Sequence, residues 1–404
     1  MKELKTPEIE REEKGKEEGL DESISNLEIS KEFYNSEMEK LKSNPMSYIC
    51  DWAESNLLYV GKRAFELISL LPCSNIIPTI SFKSTGIKAN INAFLLGAPA
   101  CGKSTITKMF LNFSYFPMRV KGISAKELIS KMCKCDGFFS LGIDDFSNLL
   151  EQPDGYEIIK ILEGALGDEK YVSHENKRSI EQTETQAIGL ICGTWVDLKK
   201  YSNYLKGGLL SRMSLFFISL KKKQMDEILE YTYDGIGKSS SSKDNYVKQQ
   251  IIKDFYENLF KLQADKSKQI KGYKFDSHLG RSVVDEFKKI TKNYKNDING
   301  DFKREFHDFF RYLVSHSFLN IYNRKVEDGI LHLTEEDYKF AKKMMLETLR
   351  NKIKLIKCNL YNKSIKSPEQ LMAIINSDNF DDDVKNILLN LSPYGKVLNM
   401  DKKL

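Results

Sequence analysis

The sequence predicts an α/β protein: a parallel five-stranded sheet sandwiched by helices, followed by an all-α unit. Three features carry this expectation. Between residues 91 and 220, short apolar runs alternate with helical stretches, and such alternation implies crossovers joining parallel strands. The runs are apolar on both faces, as strands covered from both sides must be. Beyond residue 243, apolar residues recur at the three- and four-residue spacing of helices packed by one face.

Taken in order, residues 1–44 alternate Glu and Lys with few aromatics and are expected to form a charged, flexible arm with one short helix near 30–42. The globular part starts at Asn44-Pro45, and helical spacing runs through 46–71. Strands are expected at 91–96, 117–123, 138–143, 187–192 and 215–220, with helices at 103–113, 125–133 and 156–166 between them. KKKQMDE (221–227) and the serine run 239–242 read as a connector. Four amphipathic helices follow, near 244–263, 277–293, 302–322 and 334–356. Thr334 caps the last of these, and Glu335, Glu336 and Asp337 sit at its positive end. Two short helices are expected within 365–391. The domains are thus the arm 1–44, an α/β core 45–222, a helical lid 223–357 and a small helical extension 358–404.

Composition narrows the setting. No apolar run approaches the eighteen or so residues that span a bilayer, and the charged first thirty residues do not read as a signal peptide. A cytoplasmic location, or a nuclear one in a eukaryote, is expected. Seven cysteines lie scattered without framework spacing, and the one CxC at Cys133 and Cys135 has no second pair to complete a zinc site. Lys and Arg number 62 against 57 Asp and Glu, a net +5 that permits nucleic-acid binding without arguing for it.

The most specific segment is Gly97-Ala98-Pro99-Ala100-Cys101-Gly102-Lys103-Ser104, a GxxxxGK[ST] loop with a strand before it and a helix after it. Glycines let backbone N–H groups turn onto phosphates, and the helix N-terminus adds its positive end. Residues 97–105, Thr105 included, are therefore assigned to ATP. Lys103 is expected to reach the β- and γ-phosphates and Ser104 to ligate Mg²⁺.

Three further residues follow in the order such a site needs. The strand FFSLGI ends in Asp144, expected to hold magnesium, and Asp145, expected to orient the attacking water. The strand AIGLICGT ends in Thr194, which serves equally as a γ-phosphate contact or as a turn residue. Gly207-Gly208-Leu209-Leu210-Ser211-Arg212 precedes the last strand. The fork of Arg212 suits phosphate oxygens in a neighbouring subunit, and a surface ion pair is the competing reading.

GAPACGKS, GIDDF, GLLSRMSLFF and KREFHDFFRYLVSHSFLNIYN…LTEEDYKFAKKM together resemble the ATPase module of minichromosome maintenance helicases, an AAA+ family, over roughly 85–350. The resemblance implies a homo-oligomeric ring, a hexamer in form, that couples ATP hydrolysis to translocation on DNA during replication. It makes Arg212 the arginine finger, Arg304 the lid arginine at the γ-phosphate and Arg311 the second arginine of that helix. It also places a pore hairpin at Glu169–Thr185, with Lys177 and Arg178 as DNA-contact candidates, although an ordinary charged hairpin fits those residues as well. Departures are Asp145 in place of glutamate and Thr194 in place of asparagine. The arm before residue 45 does not match that family's large N-terminal domain. Two alternatives stay open: an AAA+ ATPase acting on a protein client, as MoxR-type relatives do, and an ATP-binding switch that does not hydrolyse.

Overall fold

The structure is a computed structural model. It describes residues 31–395, except 57–60, 79, 83–84, 121, 136–137, 168–170, 176–179, 185, 195–208, 210–211, 219–221, 236–242, 293–301 and 378–380. Helices α1 (Lys31–Ser43), α2 (Pro45–Ser55) and α3 (Lys62–Ser74) lead to a short antiparallel pair, β1 (Ile80–Phe82) and β2 (Thr85–Ile87). The core then runs β3 (Asn92–Gly97), α4 (Lys103–Phe113), β4 (Pro117–Val120), α5 (Ala125–Lys134), β5 (Phe138–Ile143), α6 (Phe146–Leu150) and α7 (Gly155–Ala165). The hairpin β6 (Tyr171–Glu175) and β7 (Ile180–Glu184) precedes β8 (Gln186–Thr194) and β9 (Ser214–Ile218). The rest comprises α8 (Lys222–Gly235), α9 (Lys243–Ala264), β10 (Gly272–Lys274), α10 (Ser277–Thr291), α11 (Phe302–Leu319), β11 (Val326–Glu327), β12 (Ile330–His332), α12 (Glu335–Ser364), α13 (Pro368–Ile375) and α14 (Asp382–Leu391).

The expected α/β architecture is present. Five strands pair in the order β4-β5-β8-β3-β9, and every pairing is parallel. Side chains alternate between faces along each strand. Ala93 and Leu95 of β3 join a buried cluster with α3, α4, α9, α11 and α12, while Phe94 and Leu96 join a second cluster with α5, α6 and α7. This two-sided burial explains why the strands read as unbroken apolar runs. Such a sheet, flanked by helices, is compatible with a P-loop NTPase core.

Helices on both sides of residue 222 share the first cluster. In α11, Tyr312 Oη lies 2.5 Å from Ser214 Oγ, Arg311 Nε donates to the Lys88 carbonyl at 3.0 Å, and the Ser315 carbonyl meets Cys73 Sγ. Asn351 of α12 donates to the Leu215 carbonyl at 2.9 Å. Within the segment read as a connector at 221–227, residues 222–227 are the start of α8. Lys, Gln, Met and Glu all favour helix, and that propensity outweighs the charge run. The three-stranded sheet β10-β12-β11 was not anticipated. Among the described residues, no helix is long and apolar enough to cross a membrane.

Candidate functional site

All five strands end at one edge of the sheet, and the loop at 97–102 leaves β3 there. Its conformation depends on its small residues. Gly102 adopts φ 83° and Ala100 φ 60°, a left-handed region that costs a non-glycine residue about 1–2 kcal/mol. A Cβ at Gly97 would stand 2.6 Å from the Ile218 carbonyl oxygen and 2.9 Å from Ile218 Cβ, so β3 and β9 approach closely only because this position has none. Helix α4 starts directly after the loop, with Ser104 and Thr105 exposed in its first turn. Its first backbone N–H groups have no partner within the helix and point toward the loop, as an anion requires.

Lys103 folds back over this loop. Its ammonium donates to the Gly97 carbonyl at 3.1 Å, to the Ala98 carbonyl at 2.5 Å and to Cys101 Sγ at 3.4 Å, and the residue is only 7% exposed. Behind it, Cys192 contacts Thr107 Oγ1, and burial pushes its thiol up to about 12. That sulfur is therefore a neutral packing group.

The expected acidic residues converge on the same edge. β8 lies between β3 and β5, and the register sets Thr194 beside Gly97 and Ile191 beside Ile143. Half-buried Thr194 therefore stands between the loop and the strand that ends at Asp144. Asp144 and Asp145 line one cavity of about 260 Å³ with Val120, Gly122 and Asn148. Asp144 also pairs with Arg119 of β4, whose Nε donates to its Oδ2 at 2.8 Å. Asp145 caps α6 instead: its Oδ1 accepts from Ser147 N at 3.0 Å and from Ser147 Oγ at 2.7 Å. A larger cavity, about 750 Å³, runs along α4 and is lined by Thr105, Lys108, Trp52, Asn56 and Arg119.

Compared with known proteins, the chain matches no protein-family model and no curated protein.

The loop, Lys103, Ser104, Asp144, Asp145 and Thr194 thus meet at one edge, and Arg212 does not join them. Arg212 lies two residues before β9. Ser214 pairs with Ala93 and Ile218 with Gly97, so strand rise sets Arg212 about 20 Å from the loop, at the opposite edge. It is half-buried there, and a Cβ on Gly167 would meet its Nε at 2.7 Å. Arg304 lies two turns of α11 before Arg311, whose Nε holds the Lys88 carbonyl just ahead of β3. Arg311 itself is a packing residue, 5% exposed and paired with Asp308 at 2.5 Å. The hairpin β6–β7 forms at the edge where Arg212 lies, but Lys177 and Arg178 fall outside the described residues.

Two residues escaped the sequence reading. Arg119 sits in a strand of mixed burial, where nothing in the pattern marks it. Asn92 carried a signal, being a polar side chain at the start of an apolar strand. It donates to the Leu166 carbonyl at 2.8 Å and the Arg212 carbonyl at 3.2 Å, and accepts from Gly189 N at 2.9 Å, fixing the backbone under Arg212.

The residues present fit a nucleoside triphosphate with magnesium. The left-handed turn opens the loop backbone, a helix N-terminus follows it, and a lysine, a serine hydroxyl and a carboxylate lie around it. Among the described residues, no three or more His, Cys, Asp and Glu side chains are grouped so as to hold a metal ion by themselves.

Proposed function

We propose that the chain is an AAA+-type ATPase that completes each site with a second copy in a ring and acts on DNA. The observation that carries this reading is the separation of Arg212 from the loop within one chain, about 20 Å along parallel strands. A side chain of that length cannot span the sheet. A head-to-tail neighbour can present its Arg212 edge to the loop edge, and repetition of that contact closes a ring.

In this reading the loop N–H groups and Lys103 hold the β- and γ-phosphates of ATP. Ser104 and Asp144 hold magnesium, which would supply charge neutralisation at the phosphates when bound. Asp145 and Thr194 orient the attacking water, and the neighbour's Arg212 stabilises charge developing on the transferred phosphoryl group. Arg304 serves as the lid arginine at the γ-phosphate. The β6–β7 hairpin, repeated around the ring, would follow a phosphate backbone without reading sequence.

The experiment is ATP turnover with magnesium, measured with and without single- and double-stranded DNA, beside the mass of the nucleotide-bound particle. Stimulation by DNA and a ring mass are expected. Turnover indifferent to DNA favours a protein client, and a monomer mass removes the ring.

One observation favours a second reading, a nucleotide-binding switch without hydrolysis. Asp145 Oδ1 is engaged by Ser147, and an aspartate is one methylene shorter than the glutamate common at this position. Tight ATP binding without phosphate release would establish it.

A further inference from the structure

Helix α8 carries three large apolar side chains toward solvent. Met225 is 42% exposed, Leu229 63% and Tyr233 75%, and their four-residue spacing places them along one stripe. Asp226 and Glu230, each one residue further on and both exposed, form an acidic row beside that stripe.

The position of this helix says what covers it. β9 ends at Ile218, in register with Gly97, and α8 starts four residues later. Gln224, in its first turn, lines a small cavity with Gly61 and Lys62 at the start of α3 and with Cys50 and Ala53 of α2. Helix α3 begins at the loop edge, since its other end, Ser74, accepts from Ile91 N just ahead of β3. The stripe therefore rises from the edge where a second copy must deliver Arg212.

The Arg212 face carries matching chemistry. Tyr156 of α7 is 65% exposed, and Lys160, whose side chain is 55% exposed, sets its ammonium 5.6 Å from the Tyr156 ring. Lys160 pairs with Glu163 at 3.0 Å within its own helix, and it is close enough to Arg212 for the two cations to interact. An exposed aromatic complements an apolar stripe, and the cations beside it, one of them already paired with Glu163, face the stripe's two carboxylates.

We infer that α8 is the docking helix of the junction between copies. Its Met225–Leu229–Tyr233 stripe seats on the Tyr156–Lys160 face of the neighbour and brings that neighbour's Arg212 to the loop. This rests on the ring reading above and names the surface that makes the ring.

The test is the mass of the full chain with a fluorescent ATP analogue and Mg²⁺, measured across concentration for wild type, Leu229→Asp, Leu229→Lys and Lys160→Glu. Burial of one leucine leads to dissociation constants raised at least about tenfold for both Leu229 variants, whatever the sign of the new charge. Lys160→Glu weakens assembly in the same way. Analogue affinity at protein concentrations too low for assembly stays at the wild-type value, and far-ultraviolet circular dichroism stays unchanged, because Leu229 supports no core. If wild type assembles and either surface's variants assemble as well as it does, the docking assignment falls and the ring stands. If wild type remains monomeric with nucleotide, the ring itself falls and takes the docking assignment with it.

Discussion

Arg119 and Asp144 share a forked contact across neighbouring strands, with both Nε and a terminal nitrogen of the guanidinium directed at the same carboxylate oxygen. Arg119 pairs with Gly142 in the β4–β5 ladder, so the fork reaches diagonally to the strand end. The carboxylate is 11% exposed and the guanidinium 31%, which places the pair between a surface ion pair and a buried one.

Because the guanidinium engages the carboxylate proposed to hold magnesium, Arg119→Gln is expected to act in two directions. Without nucleotide the carboxylate loses its counter-charge, and the protein loses about 1–3 kcal/mol of stability. With nucleotide, metal no longer competes with a fixed cation, and half-saturation by Mg²⁺ moves to lower concentration. Urea unfolding and a magnesium titration of analogue binding check both. Curves that overlay wild type in both assays would make the pair incidental.

Lys103→Ala and Arg212→Ala are expected to be inactive for different reasons. The first loses the phosphate contact and the second the neighbour's contribution, so the second still binds nucleotide. Mixed in equal amounts, the two regain activity wherever an intact loop meets an intact Arg212, about one junction in four for random assembly of a head-to-tail ring. Steady-state phosphate release on the mixture reads this out. No recovery, in particles shown by mass to mix, would place Arg212 outside the site.

The sheet and its edge were legible because the pattern that signals them, apolar runs separated by helical periods, is also what folds them. The same holds for the 97–104 loop, where Gly97 leaves no room for a side chain and Gly102 takes a left-handed φ of 83°. What stayed hidden depended on partners distant in sequence. The stripe on α8 is visible as 225, 229 and 233, but its exposure is not, and a charged start disguised the helix. β10, β11 and β12 have two or three residues each, too few to display an alternation. Arg311 was legible only as the second arginine of its helix, and its partners, Asp308 one turn away and the Lys88 carbonyl, were not.

Gly97→Ala tests the close approach of β3 and β9. Its new methyl would meet backbone at Ile218, which cannot swing aside as a side chain can. The strands must part, at a cost of about 1–3 kcal/mol, and the loop moves with them. Nucleotide affinity is expected to fall by more than the loss of stability alone explains. Thermal melts with and without ATP and magnesium separate the two effects. A variant that keeps the full nucleotide-induced shift in melting temperature would show that the loop tolerates a side chain there.

Asp337 supports the helices that carry Arg304, and its protonation gives the fold a specific acid limit. The side chain is fully buried between α11 and α12. His316 Nδ1 lies 2.7 Å from its Oδ1, Arg324 donates to Oδ1 at 2.8 Å and to Oδ2 at 3.1 Å, and Thr334 N and Oγ1 reach Oδ2 at 2.8 and 2.9 Å. Burial alone pushes this carboxyl up, but the hydrogen bonds from His316 and Arg324, with the charge beside them, together hold it well below the usual carboxylate range. A group depressed in the folded state stabilises fully above its unfolded value and loses that contribution as pH falls toward the folded one. Asp337→Asn keeps the shape but turns donors toward donors, and is expected to cost about 3–5 kcal/mol at neutral pH. The gap between wild type and variant in urea unfolding should stay constant from about pH 7 to 5 and narrow below about pH 4, where the unfolded chain binds the proton first. A gap that widens on acidification, or closes already near pH 6, would mean that another group carries the network.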